Sequence, residues 1–197
     1  MEEWLVPPEE YIKAGVHLGT RVKTEDMKRF ISKIRPDGLA IIDIAKTDER
    51  LRLVSKFISR YEPDQILVVG RREVAVKPIQ MFSKYTKIKA YPGRYPPGAL
   101  TNPQLKNYVD PEVVIITDPL LDRNALKDAY ETGRIIIAFC DTNNTFEMID
   151  IVIPANNKGA KSLALLYWIL AREYLRNRGI IPKKGSLDVT WEAFAQE

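Results

Sequence analysis

The side chains able to do chemistry in this sequence are mostly cations. There is one cysteine, Cys140, followed by Asp141 at the end of an apolar run, and one histidine, His17. A thiol and an imidazole could act as nucleophile and base. A lone pair far apart in sequence more often packs than reacts, so a small cytosolic α/β enzyme using Cys140 and His17 stands as the alternative reading. Two such residues are too few for a structural zinc site, and one cysteine excludes an internal disulfide.

The cations are better placed. Arg71 and Arg72 follow Gly70 after an apolar run, where an α/β crossover would begin. A dinucleotide site needs G-x-G-x-x-G there, and two bulky cations obstruct the close backbone approach a pyrophosphate requires. Gly159-Ala160-Lys161-Ser162 imitates the end of a P-loop, but alanine intrudes and the upstream glycine is missing. These places still suit a phosphodiester, held by backbone N–H groups with Lys158 and Lys161 beside them. Arg94 and Tyr95 lie in an irregular proline-rich stretch, where a guanidinium and an aromatic plane could meet backbone and base. Tyr95 could equally pack against the neighbouring prolines, and His17 between Val16 and Leu18 could pack or touch RNA.

Those residues need a frame. The chain has 197 residues, 45% hydrophobic and 28% charged, an ordinary globular balance with room for one sizeable core. The longest apolar run, Leu163 to Ala171, is far shorter than the roughly 20 residues that cross a bilayer. The acidic N-terminus lacks the basic and apolar regions of a secretory signal, so a soluble, reducing-compartment protein is expected. Apolar runs of strand length fall at Leu39 to Ile44, Gln65 to Val69, Ile88 to Tyr91, Val113 to Thr117, Ile135 to Phe139 and Ile151 to Ile153. Helical patterns separate most of them, at Thr47 to Arg60, Arg72 to Tyr85 and Asp122 to Thr132, and a long one follows from Gly159 to about Arg178. Pro36-Asp37-Gly38 predicts a hairpin between Phe30 to Ile34 and Leu39 to Ile44. The alternation predicts an open, doubly wound parallel α/β sheet.

Charge is unevenly distributed along the chain. Residues 13–35, 71–106 and 158–184 carry net charges of +5, +7 and +6, whereas 107–157 carries −6. If the three basic stretches meet on one flank, the molecule is bipolar and can grip a polyanion. The acidic stretch is expected to face solvent or basic neighbours. Arg172, Arg176 and Arg178 are expected to emerge beyond the apolar part of the last helix.

Several blocks together resemble a known family. YIKAGVHLGT (Tyr11 to Thr20), IIDIAKTDERL (Ile41 to Leu51), VVGRREVAVKP (Val68 to Pro78), GRYPPGALTNP (Gly93 to Pro103), AFCDTNN (Ala138 to Asn144) and VIPANNKGAKSLALLYWILAREYL (Val152 to Leu175) follow in the order of the small-subunit ribosomal protein number two family. Its eukaryotic relative is ribosomal protein SA, the laminin-receptor precursor. The chain lacks the inserted coiled coil of bacterial members and the long acidic extension of eukaryotic ones, so it resembles the archaeal type.

The resemblance implies a flavodoxin-like five-stranded parallel sheet with helices on both faces and an N-terminal helical and hairpin extension. It implies a cytoplasmic, ribosome-associated structural protein without enzymatic activity or cofactor. Its partners would be small-subunit ribosomal RNA and other small-subunit ribosomal proteins at the head–body junction, with no membrane and no small-molecule substrate. Residues 9–182 would form the single RNA-binding domain, flanked by a flexible N-terminal tail, 1–8, and a C-terminal tail, 183–197. Carried over by motif, the RNA contacts expected are His17, Lys23, Arg71, Arg72, Lys77, Arg94, Tyr95, Asn102, Lys158 and Lys161.

Overall fold

The computed structural model describes residues 3–195. Five strands form the main sheet: β3 (Ile66–Gly70), β4 (Lys89–Pro92), β5 (Val113–Ile116), β6 (Ile135–Cys140) and β7 (Ile151–Pro154). All neighbours are parallel in the order β4-β3-β5-β6-β7, a flavodoxin-like arrangement. Strand alternation divides the apolar residues into two cores. Ile66, Val68, Val113, Ile115, Ile137 and Phe139 face one side, while Leu67, Val69, Val114, Ile116, Ile136 and Cys140 face the other.

The first face is covered by α3 (Val76–Thr86) and α5 (Ala160–Asn177), with α1 (Pro8–Ala14) and α2 (Ile44–Ile58) against α5. α5 is buried around nearly its whole circumference, which explains its continuous LALLYWIL rather than an amphipathic stripe. Each fully buried leucine there stabilises the fold by roughly 2 kcal/mol. The segments flanking 9–182 join this layer: Val6, Trp191 and Phe194 are buried, and Trp191 Nε1 donates to Glu10 at 2.7 Å. The second face is covered more thinly, by α4 (Arg123–Glu131), Met27, Phe30 and the irregular loop through Tyr95 and Leu100.

The apolar run Leu39 to Ile44 forms no strand of the main sheet. β1 (Ile31–Ile34) pairs antiparallel with the short β2 (Ala40–Ile42), giving the expected hairpin as a separate ribbon. The following helix starts at Ile44, not Thr47. Asp43 accepts from Ala45 N at 3.0 Å and caps it, leaving Thr47 and Asp48 buried inside the helix. There they act as ties: Thr47 Oγ1 donates to Pro154 O at 2.6 Å, and Asp48 Oδ1 accepts from Tyr11 Oη at 2.7 Å and Leu5 N at 3.0 Å. Gly133, with φ +72°, follows the end of α4 and leads into β6.

Candidate nucleic-acid interface

In a parallel sheet every crossover leaves from the same edge. Gly70 pairs with Pro92, Val69 with Ile116, and Cys140 with Pro154, so the carboxyl ends of the strands are level. Arg71 and Arg72, Arg94, Asp118, Asp141 and Lys158 all follow those ends. The N-terminal extension lies over the ends of β6 and β7: Thr20 N donates to Thr142 Oγ1 at 2.8 Å, Thr24 Oγ1 to Asn144 O at 2.7 Å, and Asn156 N to Val16 O at 3.0 Å. Gly19 permits that approach, because a Cβ there would lie 2.6 Å from Thr142 Cγ2 and 2.8 Å from Ala40 O. Residues from all three basic stretches thus share one edge of the sheet.

The loops after β3 and β4 are tied by one bond, Gly93 N to Gly70 O at 2.8 Å, which sets the following Arg71 and Arg94 side by side. Both are exposed, and they line a recess of about 310 Å³ with Tyr95, Pro97, Leu121, Asp122, Asn124 and Ala125. Gly70 answers to packing, since a Cβ there would meet Ile79 Cδ1 at 2.4 Å and Thr117 Oγ1 at 2.6 Å. Asp122 holds the floor, accepting from Arg71 N at 2.7 Å and Asp118 N at 3.0 Å. Burial pushes its carboxyl up to about 6. Arg72 turns inward to pair with Asp118 at 2.6 Å, and Asp118 is 1% exposed. Its charge is matched within the protein. Lys77 lies half-buried in the first turn of α3.

Lys158 is occupied more completely. Its Nζ donates to Asp141 at 2.7 Å, Asn143 at 2.8 Å and Asn157 at 3.2 Å, using all three ammonium protons. Asn144 Oδ1 accepts from Asp141 N at 2.8 Å and Asn157 Nδ2 at 3.0 Å, closing a knot between the β6 and β7 loops. In the free chain Lys158 thus binds loop to loop. Lys161, one helical turn on, is exposed.

Other expected contacts have structural duties too. Lys23 Nζ donates to Arg21 O at 2.6 Å and Gly38 O at 3.0 Å, bracing the extension against the hairpin turn. Tyr95 is 8% exposed, its hydroxyl donating to Asp128 at 3.0 Å and accepting from Leu100 N at 3.1 Å. That burial leaves little of its ring at the surface, where it lines the recess. Asn102 is exposed and holds a turn, accepting from Gln104 N at 3.0 Å. His17 is half-buried beside a recess of about 560 Å³, with Leu18, Ile41, Lys33 and Arg35. Partial burial lowers the pKa of its ring, so it is uncharged at neutral pH.

The third basic stretch divides along its helix. Lys158, just before α5, and Lys161, in its first turn, lie at the strand-carboxyl edge, but 18 residues of helix carry Arg176 and Arg178 about 27 Å away, to the opposite edge. They do not emerge as free cations. Arg172 is buried, pairing with Glu173 at 2.9 Å, while Arg176 reaches Glu173 and Gly185 O, and Arg178 reaches Tyr61 O and Glu62. The acidic stretch is likewise not uniformly outward. Asp118, Asp122 and Asp141 are buried at the strand-carboxyl edge, and Asp110, Glu112 and Asp150 lie at the amino edge, exposed. The stretch also hides a cation: Arg123, exposed at the first position of α4, stands on the strand-carboxyl edge. Summing charge over 107–157 conceals it; its place after an apolar run was the available signal.

Cys140 gives the enzyme alternative no support. The thiol is fully buried in the second core, and burial raises its pKa, so it stays protonated.

Known proteins resemble the chain along most of its length. The sequence model of the family described as Ribosomal protein S2 matches residues 11–110 and 105–176. The small ribosomal subunit protein uS2 of Nanoarchaeum equitans is 66% identical over 190 residues, covering 96% of this chain and 94% of the relative. That of Thermoplasma acidophilum is 50% identical over 193 residues, 98% and 97% of the two chains. That of Staphylothermus marinus is 50% identical over 185 residues, 94% and 84%.

Proposed function

This chain belongs to the ribosomal protein S2 family, and from that premise we propose that it binds ribosomal RNA along the strand-carboxyl edge of its sheet. It is a structural component of the small ribosomal subunit, not an enzyme, with ribosomal RNA and neighbouring ribosomal proteins as partners. Residues 9–182 serve as the RNA-binding domain, seated at the head–body junction of cytoplasmic subunits. Among the described residues, no helix is long and apolar enough to cross a membrane.

The observation that carries the reading is the gathering of Arg71, Arg94, Arg123 and Lys161 on one edge with their side chains exposed. Folded RNA is recognised largely through shape and backbone, so cations in a fixed array suffice without chemistry. Each phosphate contact releases counterions and adds about 0.7–0.9 to the dependence of log affinity on log salt. The exposed acids Asp110, Glu112 and Asp150 at the opposite edge favour orientation with that edge away from RNA.

The test is binding to small-subunit RNA across a salt series, with Arg71→Ala/Arg94→Ala against the unaltered protein. The slope should fall by about 1.5, and the variant should leave small subunits at lower salt in sucrose gradients. An unchanged slope would place the RNA elsewhere.

A further inference from the structure

Arg71 and Arg94 raise a question that a flat electrostatic edge does not answer. Both residues line the same recess, and among the described residues neither guanidinium has a carboxylate or carbonyl partner, the recess's own carboxylate, Asp122, being taken up by the N–H groups of Arg71 and Asp118. Arg72, Arg134, Arg172, Arg176 and Arg178, by contrast, are all paired. The Gly93–Gly70 bond brings two cationic residues to one recess, where an anion can be shared between them. The recess lies where the strand order reverses, between β3 and β5, the place at which open α/β sheets take ligands.

Its walls differ in kind. Arg71 and Arg94 stand on one side. Pro97 and Leu121 offer apolar surface, and Leu121 is 41% exposed with no packing role to explain it. Asn124, exposed in the first turn of α4, presents an amide able both to donate and to accept. At about 310 Å³ the space is at the lower end for small ligands, larger than an isolated phosphate needs.

We propose that this recess is a seat for a single unstacked nucleotide, its phosphate between Arg71 and Arg94, its base against Leu121 and Pro97, and its edge read by Asn124. Residues splayed out of loops and bulges are the parts of RNA that proteins read individually, so the nucleotide is assigned to an RNA strand. The inference rests on the RNA-binding reading of this edge but makes a separate demand, for a base as well as a phosphate.

The experiment is a titration of isotope-labelled protein, followed by amide NMR shifts, with three probes: a six-nucleotide single-stranded RNA, adenosine 5′-monophosphate and inorganic phosphate. The single strand should shift Arg71, Arg94 and Asn124 together, more tightly than the mononucleotide and far more tightly than phosphate. Leu121→Ala and Asn124→Ala change no charge and alter exposed positions, so the fold is retained. Each should weaken single-strand binding by about tenfold, the scale of one lost base contact, with the salt slope unchanged. A mononucleotide as tight as the strand supports the seat and makes a free nucleotide its occupant. Equal affinity of both uncharged variants and the unaltered protein for the single strand overturns the seat. The salt slope of Arg71→Ala/Arg94→Ala then reports separately whether the RNA-binding edge survives.

Discussion

The loops after β3 and β4 and the loops after β6 and β7 leave the same edge of the same sheet, and both pairs carry cations. Around Lys158 the chain supplies Asp141, Asn143 and Asn157, short polar side chains that converge until no ammonium proton is free. Around Arg71 and Arg94 it supplies Tyr95, Pro97 and Leu121, which shape a wall, and one carboxylate, Asp122, which accepts from the backbone N–H groups of Arg71 and Asp118 and not from either guanidinium. Equal charge in the sequence therefore means cohesion in one place and reach in the other. The deciding factor is what the buried acceptor holds: Asp141 takes the Lys158 ammonium, whereas Asp122 takes backbone N–H groups.

The sharpest way to break that contrast is to remove the acceptor. Asp141→Ala strands the Lys158 ammonium and leaves Thr142 N, now bonded to Asp141 Oδ1 at 2.6 Å, without its acceptor. A loss of about 3 kcal/mol in urea unfolding is expected, softened slightly by the partial exposure of Lys158. Arg71→Ala should change stability by less than about 0.5 kcal/mol. Comparable losses from both would erase the distinction.

Acidity probes the floor of the open recess. The carboxyl of Asp122 titrates near 6 in the fold against about 4 in the unfolded chain, because burial disfavours its charge. Between those values the folded state holds the extra proton, so this group's contribution to stability falls as pH rises from 4 to 6, then levels off. A difference on the order of 2 kcal/mol between the ends of that window should separate the unaltered protein from Asp122→Asn. Parallel pH profiles for the two would remove Asp122 as the cause.

Tyr95→Phe is expected to act more gently. It deletes the bonds to Asp128 and Leu100 while keeping the ring, so about 1 kcal/mol of stability should go. RNA affinity should hold, since the buried ring does not stack on a base. A large affinity loss with unchanged stability would instead put the phenol at the RNA surface.

How much of this was legible beforehand follows from which forces act locally. β-branched runs such as Val113–Ile116 announce strands buried on both faces, and Pro36-Asp37-Gly38 announces its turn, because both signals are contained in a few adjacent residues. The family blocks gave the order of elements but not why each block exists. AFCDTNN and PANNKGAK meet only once the chain has passed from β6 to β7, so the knot around Lys158 has no trace in either alone. Arg172 reads as a helix-end cation but lies against Trp168 with its charge matched by Glu173, a partner that adjoins it in sequence yet is useful only once both are buried. The ring of Tyr95 could be placed either way until Asp128, on another element, was seen to take its hydroxyl. Acceptors brought into place or buried only by the fold decide these cases, and residue type alone does not reveal them.

The finest test compares two lysines three residues apart, one just before α5 and one in its first turn. Lys158→Ala should lower stability, because Asp141 is 1% exposed and would be left without its cation. It should leave the salt dependence of RNA binding alone, since that ammonium has no free proton for a phosphate. Lys161→Ala should do the reverse: no measurable change in urea midpoint, but a slope lower by just under one if its exposed ammonium meets a phosphate. The two measurements on two variants give four numbers, and the contrast predicts a crossed pattern. If Lys158→Ala lowers the slope as Lys161→Ala does, the knot opens on RNA and its bonds in the free protein are a resting arrangement. In that event the edge binds through both halves, and the division between cohesive and reaching cations holds only before the RNA arrives.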